Sequence, residues 1–265
     1  MTSYVGRTET RHDTVWPLLA RGLAATLGAP EPERILPPLW HWTLFQDWAP
    51  ADGLGPDGHP RRGGFLPPVH DLPRRMWAGG RLVFHAPLVI GEPVTRTSTI
   101  LSVTEKQGAS GRLVFVTVQH DIAGPSGPAI TEEQDLVYRG IDGSAVRPGT
   151  AAAPVPSIAA RTVRPDPVLL FRYSALTGNG HRIHYDADYV RDVELYPGLV
   201  VHGPLQATWL AAMVGEGLSR FAFRGLRPAF AGNKLVLEAW REDDTVRLRS
   251  RDETGAVCMT AEAGL

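Results

Sequence analysis

The stretch DGSAVRPGTAAAPVPSIAARTVRPDP, residues 142–167, constrains the chain more than any other segment. Its prolines at 148, 154, 156, 165 and 167 forbid a regular helix and favour an extended connector. It leaves two stretches, 1–141 and 168–265, whose signals run in the same order. RLVFHAPLVIGEPV (81–94) is echoed by RFAFRGLRPAFAGNKLV (220–236): in each, an arginine is followed three residues later by a phenylalanine, and then by a glycine that opens a new strand. Runs near period two follow each echo, as half-buried antiparallel strands require. They are Val94–Val103, Leu113–Gln119 and Ile130–Tyr138 in the first stretch, and Leu235–Trp240, Thr245–Ser250 and Val257–Ala263 in the second.

A helix is expected ahead of each set of strands. In the second stretch Leu205, Trp209, Ala212 and Met213 fall on one face, Pro204 suits the first helical position, and Gly215 and Gly217 can end the helix. The first stretch offers a poorer helix, about Thr14 to Leu27. A long apolar helix wrapped by a curved antiparallel sheet, given twice, predicts an α+β protein with a tandem, or double, hot-dog fold whose two copies form a pseudo-dimer. A single α+β domain is the plainer alternative.

The 43% hydrophobic content suffices for a sizeable core, and a net charge of −1 provides no field to gather nucleic acid or anionic lipid. Neither partner is expected. Cys258 stands alone, which excludes an intramolecular disulfide framework and fits a reducing compartment. The first residues lack the apolar run of a secretory signal, and the most apolar later segment, 199–214, is interrupted by His202, Pro204 and Gln206. A cytoplasmic protein is expected.

The densest chemistry lies in FRYSALTGNGHRIHYDADYV (171–190), too polar and glycine-rich for a core element. Histidine exchanges a proton near neutral pH, and Asn179, five residues before His184, supplies an amide able to hold water or a carbonyl. The plainer reading makes Asp186 the cap of a short helix, lets Tyr185 and Tyr189 pack, and leaves His181 as a passive donor. In YPGLVVHGPL (196–205), the N–H of Gly203 falls at the start of the apolar helix, where unpaired donors and the positive dipole end suit an oxyanion.

Together these two motifs resemble the MaoC-like hydratases, most closely the two-hot-dog branch with hydroxyacyl-thioester dehydratase type 2 and the mesaconyl-CoA and itaconyl-CoA hydratases. The wider family's motif runs Gly-Asp-x-Asn-Pro-x-His, with its aspartate and histidine as the catalytic pair and a helix-start glycine as oxyanion donor. His184 matches that histidine and Gly203 that glycine. Asn179 stands in place of the aspartate, His181 of the asparagine and Arg182 of the proline. The resemblance extends through HWTLFQDW (41–48), GGFLPPVHDLPRRMWAGG (63–80) and TEEQDLVYR (131–139), although the first half has no such motif. It implies reversible hydration of an enoyl-CoA, of a short branched or dicarboxylic acyl group, with His184, Asn179 and Gly203 as catalytic residues. It also implies a motif-free first copy that helps bind the acyl-CoA. No metal and no cofactor beyond the substrate's coenzyme A are expected, and a homo-oligomer of double hot-dog subunits is compatible with it.

Tyr173, His181, Arg182 and His202 surround the motif as candidate substrate contacts. Arg74, Arg75 and Trp77 in PRRMWAGG combine guanidinium forks with an aromatic surface suited to the phosphates and adenine of coenzyme A, or form an ordinary basic turn. ADGLGPDGHPRRGG (51–64) has the composition of a flexible lid or a mere connection. Three rivals share these residues: a metal-dependent hydrolase using HRIHYD with His202, a hot-dog thioesterase, and a non-catalytic acyl-CoA-binding subunit.

Overall fold

The computed structural model describes residues 2–108, 111–141 and 149–265. The first half runs β1 (Thr8–Thr14), α1 (Pro17–Leu27), β2 (Arg74–Phe84), β3 (Pro93–Gly108), β4 (Gly111–Gly124) and β5 (Gly127–Arg139). The second repeats the plan with β6 (Ala159–Val163), α2 (Pro167–Thr177), α3 (Ala187–Asp192), α4 (Gly203–Ala212), β7 (Arg220–Gly225), β8 (Leu235–Glu242), β9 (Thr245–Arg251) and β10 (Val257–Gly264). The six period-two runs all fall within strands. The strands make one ten-stranded antiparallel sheet in the order β1-β3-β4-β5-β2-β7-β10-β9-β8-β6, two five-stranded halves related by a pseudo-twofold at β2·β7. This is the expected double hot-dog arrangement.

The echoed segments supply the strands that meet at this joint: Gly79 pairs with Arg224, Arg81 with Ala222 and Val83 with Arg220. Glycine is required there. A Cβ on Gly79 would lie 2.5 Å from the carbonyl oxygen of Phe223, and one on Gly80 2.9 Å from that of Glu133.

Two helix expectations need correction. The helix read over Thr14–Leu27 spans Pro17–Leu27, but its counterpart is α2: each begins with proline, ends at a left-handed glycine (Gly28, φ 64°; Gly178, φ 61°) and follows an edge strand. The two pack together where a Cβ on Gly22 would come within 2.9 Å of the Leu176 side chain. Nothing in the first half corresponds to α4. Residues 44–73 there hold six prolines and five glycines, which leave only a 3-10 turn at Ala51–Gly53. In the second half α4 is buried on nearly every side from Leu205 to Ala211, wrapped by β7–β10, so it has no single apolar face. Ala212, expected on that face, is exposed, and the helix stops at Met213, before Gly215 and Gly217.

Of the connector, 142–148 lies outside the described residues. Ala159–Val163 forms β6, which pairs with β8 as β1 pairs with β3. Among the described residues, no helix is long and apolar enough to cross a membrane.

Because the seam admits no side chain at residue 79, Gly79→Ala should lower unfolding stability by about 2 kcal/mol or more, the scale of a forced backbone shift. Denaturant unfolding reads it directly. Unaltered stability would show that β2 and β7 can separate there without cost.

Candidate active site

The motif is shaped by the end of α2. Gly178 turns the chain left-handed, so the Asn179 N–H bonds the Ser174 carbonyl and the Asn179 Oδ1 accepts from the His181 N–H at 3.1 Å. A 3-10 turn, Arg182–His184, then presents His184. Gly180 answers a different need: a Cβ on it would lie 2.6 Å from the Gly58 carbonyl oxygen, and one on Gly58 2.0 Å from that of Gly180. Two backbones cross here in contact. The 51–64 segment is thus tied to the motif, with the Arg182 N–H donating to Asp57 O (2.9 Å) and the Arg182 guanidinium to Pro56 O (3.0 Å).

His184 is buried, and its Nδ1 donates to the Val200 carbonyl at 2.7 Å. That carbonyl is fixed in turn, because the Val200 N–H bonds Ile183 O. A backbone oxygen can only accept, so the proton of neutral His184 is on Nδ1 and Nε2 carries the lone pair. Its ring stacks on His202, 3.6 Å between centroids and 18° from parallel. His202 is fully buried and its Nε2 is 2.8 Å from the Ser174 Oγ. Burial pulls the pKa of His184 down to about 4, outweighing the Val200 bond, and pulls that of His202 well below the usual value. His181 stands edge-on to His184 at 5.6 Å, brought to about 2 first by burial and then by His59 and His184.

A cavity of about 630 Å³ opens against this group and is walled by both halves. The second half contributes Tyr173, Asn179, His181, His184 and Gly203. Tyr173 is buried with its ring 4.9 Å from His202, and burial raises its pKa. Gly203 is the first residue of α4, its N–H bonded to no backbone acceptor among the described residues. From the first half come Arg75 and Trp77, the latter edge-on to Trp42 at 4.9 Å. The structure therefore brings His184, Asn179, Gly203, His181, Tyr173, Arg75 and Trp77 to one cavity.

Three candidate contacts are elsewhere. Arg74 is buried under β2, its Nε 2.7 Å from Glu194 Oε2 and its guanidinium over the Tyr196 ring, because an inward-facing arginine on a strand must be paired. Arg182 points away from the cavity to Asp186 (2.7 Å) and the Tyr189 ring. His202 lies behind His184 and does not line the cavity. The HRIHYD ligand set also fails to converge. Asp186 caps α3 through the Tyr189 N–H and holds Arg182, and Tyr189 is buried as the plainer reading expected.

Sequence reading missed what the 51–64 segment delivers. His59, its Nδ1 3.0 Å from Asp57 Oδ2, lies 4.4 Å from the His181 ring. Among the described residues, Asp57, His59 and His181 are the histidine and carboxylate group whose ligand atoms come within 4.8 Å of one another. Also missed was a buried cluster on the first-half wall, where Glu132 accepts from His41 Nε2 and from Trp42 Nε1, each at 3.0 Å. Glycines in ADGLGPDGHP and the acids of the strand segment TEEQDLVYR, Glu132 among them, were the available signals.

The family model described as hydroxyacyl-thioester dehydratase type 2 matches residues 39–231. A mesaconyl-C(4)-CoA hydratase of Chloroflexus aurantiacus is 45% identical over 99% of this chain and 97% of its own. The crystal structure of HtdX from Mycobacterium tuberculosis superposes with TM-score 0.71 at 16% identity, covering 98% of this chain and all of that one. Another protein of that organism, described as having a double hotdog fold, gives 0.57 at 14% identity, covering 98% and 95%.

The buried histidines set the acid stability. Each binds a proton in the unfolded chain below its ordinary value of 6.5. The folded His184 resists until about 4, so stability is full above pH 6.5 and declines as pH falls towards 4. The thermal midpoint should therefore drop across that window, and His202→Gln should make the decline shallower. A midpoint independent of pH there would contradict the burial argument.

Proposed function

The chain belongs to the hydroxyacyl-thioester dehydratase type 2 family, and from that membership we propose how the cavity works. The activity is reversible hydration of an α,β-unsaturated acyl-CoA thioester, a hydro-lyase reaction. The acyl group we propose is short and branched or dicarboxylic, of the mesaconyl or itaconyl kind, on the strength of the 45% identical relative. The single observation that carries the mechanism is the hydrogen bond from His184 Nδ1 to Val200 O, which leaves Nε2 as a fixed base at the cavity wall.

The thioester oxygen is placed at the Gly203 N–H, where the α4 dipole and an unpaired donor stabilise the charge that develops as the β-carbon is attacked. Asn179 has its Oδ1 engaged by His181, so its Nδ2 is the end that orients water. An amide exchanges no proton at neutral pH, which leaves His184 as the base. In hydration, Nε2 takes a proton from water, the hydroxyl oxygen bonds the β-carbon, and the π electrons move onto the thioester as an enolate. The proton then passes to the α-carbon. A buried imidazolium is a strong acid, so delivery is favoured, and dehydration is the same path reversed.

Stacking by His202, held by Ser174, keeps the His184 ring in plane and is a positioning role. The mechanism needs no cofactor beyond the substrate's coenzyme A, and we place the protein in the cytoplasm, as a double hot-dog subunit able to assemble with copies of itself. A thioesterase would need a carboxylate or a water-activating group aimed at the thioester carbon, and release of free coenzyme A thiol would mark it. Glu132 has both oxygens engaged by His41 and Trp42.

The test follows loss of the enoyl thioester of mesaconyl-C(4)-CoA. His184→Ala should lower kcat by roughly 10²-fold or more, while Asn179→Asp keeps part of the activity. Since only neutral His184 accepts a proton, kcat/KM should hold through mildly acidic pH and fall as pH approaches about 4. Near-normal turnover by His184→Ala would remove the proposed base.

Gly203→Val is the second test. A Cβ there meets nothing closer than 3.9 Å, so the fold should survive while the added methyls crowd the thioester, lowering kcat by roughly 10²-fold. A folded variant with normal turnover would move the oxyanion site elsewhere.

A further inference from the structure

The two halves of the sheet differ on their concave faces. In the second half, β7–β10 turn Phe221, Phe223, Leu248, Met259 and Ala261 against α4, an apolar contact throughout apart from Ser250 bonded to Gln206. The first half has no such helix, and the space it would fill belongs to the cavity. Its wall there carries polar side chains among apolar ones such as Val118 and Ile122. Ser98, His120 and Glu132 stand opposite one another on β3, β4 and β5, with Arg96 opposite Ile122 in the next row of β3 and β4. A plain hydrocarbon chain would leave the polar part of this lining desolvated and uncompensated.

Among the described residues, the charged side chains of this wall are paired except that of Arg96; the buried Nδ1 of His41 also lacks a partner. Glu132 is held by His41 and Trp42; His120 by Ser98, at 2.9 Å, and Gln134. Arg11 is paired with Glu9 and Asp47. The Arg96 side chain makes no hydrogen bond or ion pair among the described residues; its Nε is buried without an acceptor, and its guanidinium rests 4.9 Å from the Phe45 ring centroid. Phe45 is held there in a left-handed conformation (φ 57°) by its N–H bond to Asp13. Burial and then Arg11 act against the charge of Arg96, only partly offset by Glu9, Glu132 and Asp47.

Arg96 lines the same cavity as His184, Asn179 and Gly203. Phe45 adjoins Gln46, whose amide bonds Leu176 O at the end of α2, one turn from Asn179. On the other side Trp42, bound to Glu132, touches Trp77, whose carbonyl lies beside Gly203.

Resting on the hydratase reading, we propose that Arg96 binds a carboxylate at the far end of the acyl group, so that the substrate is the coenzyme A thioester of a short unsaturated dicarboxylic acid. A guanidinium fork and a carboxylate make paired charge-assisted bonds, and the anion would satisfy the unmatched Arg96 guanidinium.

The probes are succinyl-CoA and butyryl-CoA, which share the four-carbon chain and every coenzyme A phosphate, differ in a terminal carboxylate against a methyl, and lack a double bond to hydrate. Binding is measured by calorimetry on the full chain. Wild type should bind succinyl-CoA about 10- to 100-fold more tightly, the range of a charge-assisted bond. Arg96→Met should bring the ratio near one, and Arg96→Lys, which keeps the cation without the fork, should fall between. No preference in the wild type overturns the proposal, as does a ratio that Arg96→Met leaves intact. Equal weakening of both ligands would make Arg96 a phosphate contact and equally overturns it. If Arg96→Met does not fold, the wild-type ratio and Arg96→Lys decide. The hydratase reading fails separately, if mesaconyl-C(4)-CoA is bound and not hydrated.

Discussion

The antiparallel pairing of β2 with β7 is the contact on which the rest depends. It joins two five-stranded halves through Gly79 and its neighbours, where the backbones come too close for a side chain. Once joined, the halves no longer need to be alike. The second keeps its wrapped helix and spends the N-terminus of that helix on an unpaired Gly203 N–H. The first gives up its helix, and the vacated space becomes part of the cavity against which His184 and Asn179 lie. Two like halves of which only one carries the wrapped helix thus give both an unpaired helix-start N–H and an adjoining cavity.

The chemistry of the site rests on desolvation. His181, His184 and His202 are all buried, with pKa values depressed chiefly for that reason. Burial keeps His184 neutral, and its bond to Val200 O decides which nitrogen faces the cavity. The same burial makes the protonated ring a good donor and leaves the fold vulnerable to acid. Stability and reactivity here are two consequences of one exclusion of water.

Much of this was legible in the sequence. The repeated Arg-x-x-Phe signal pointed to the very strands that pair at the seam, and the period-two runs located their neighbours, because strand alternation survives in sequence. His184, Asn179 and Gly203 were legible through local motifs and do meet at one cavity. Arg74 and Arg182 were misread because a guanidinium near a motif looks alike whether it faces a ligand or a buried carboxylate; Glu194 and Asp186 settle that only in three dimensions. Asp57, His59 and Arg96 were invisible as site residues, since a tertiary crossing at Gly58 and Gly180 and a strand register bring them in. The missing first-half helix could have been seen in the prolines and glycines of 44–73, had a helix there been required for the repeat.

The central claim is that this cavity directs water to the β-carbon and leaves the thioester intact. Turnover of mesaconyl-C(4)-CoA in isotopically labelled water, with mass analysis of the product, tests it most directly. The account predicts one labelled oxygen in the hydroxyl of an intact hydroxyacyl-CoA, with no free thiol. Release of coenzyme A with the label in a carboxylate, and the double bond retained, would contradict it.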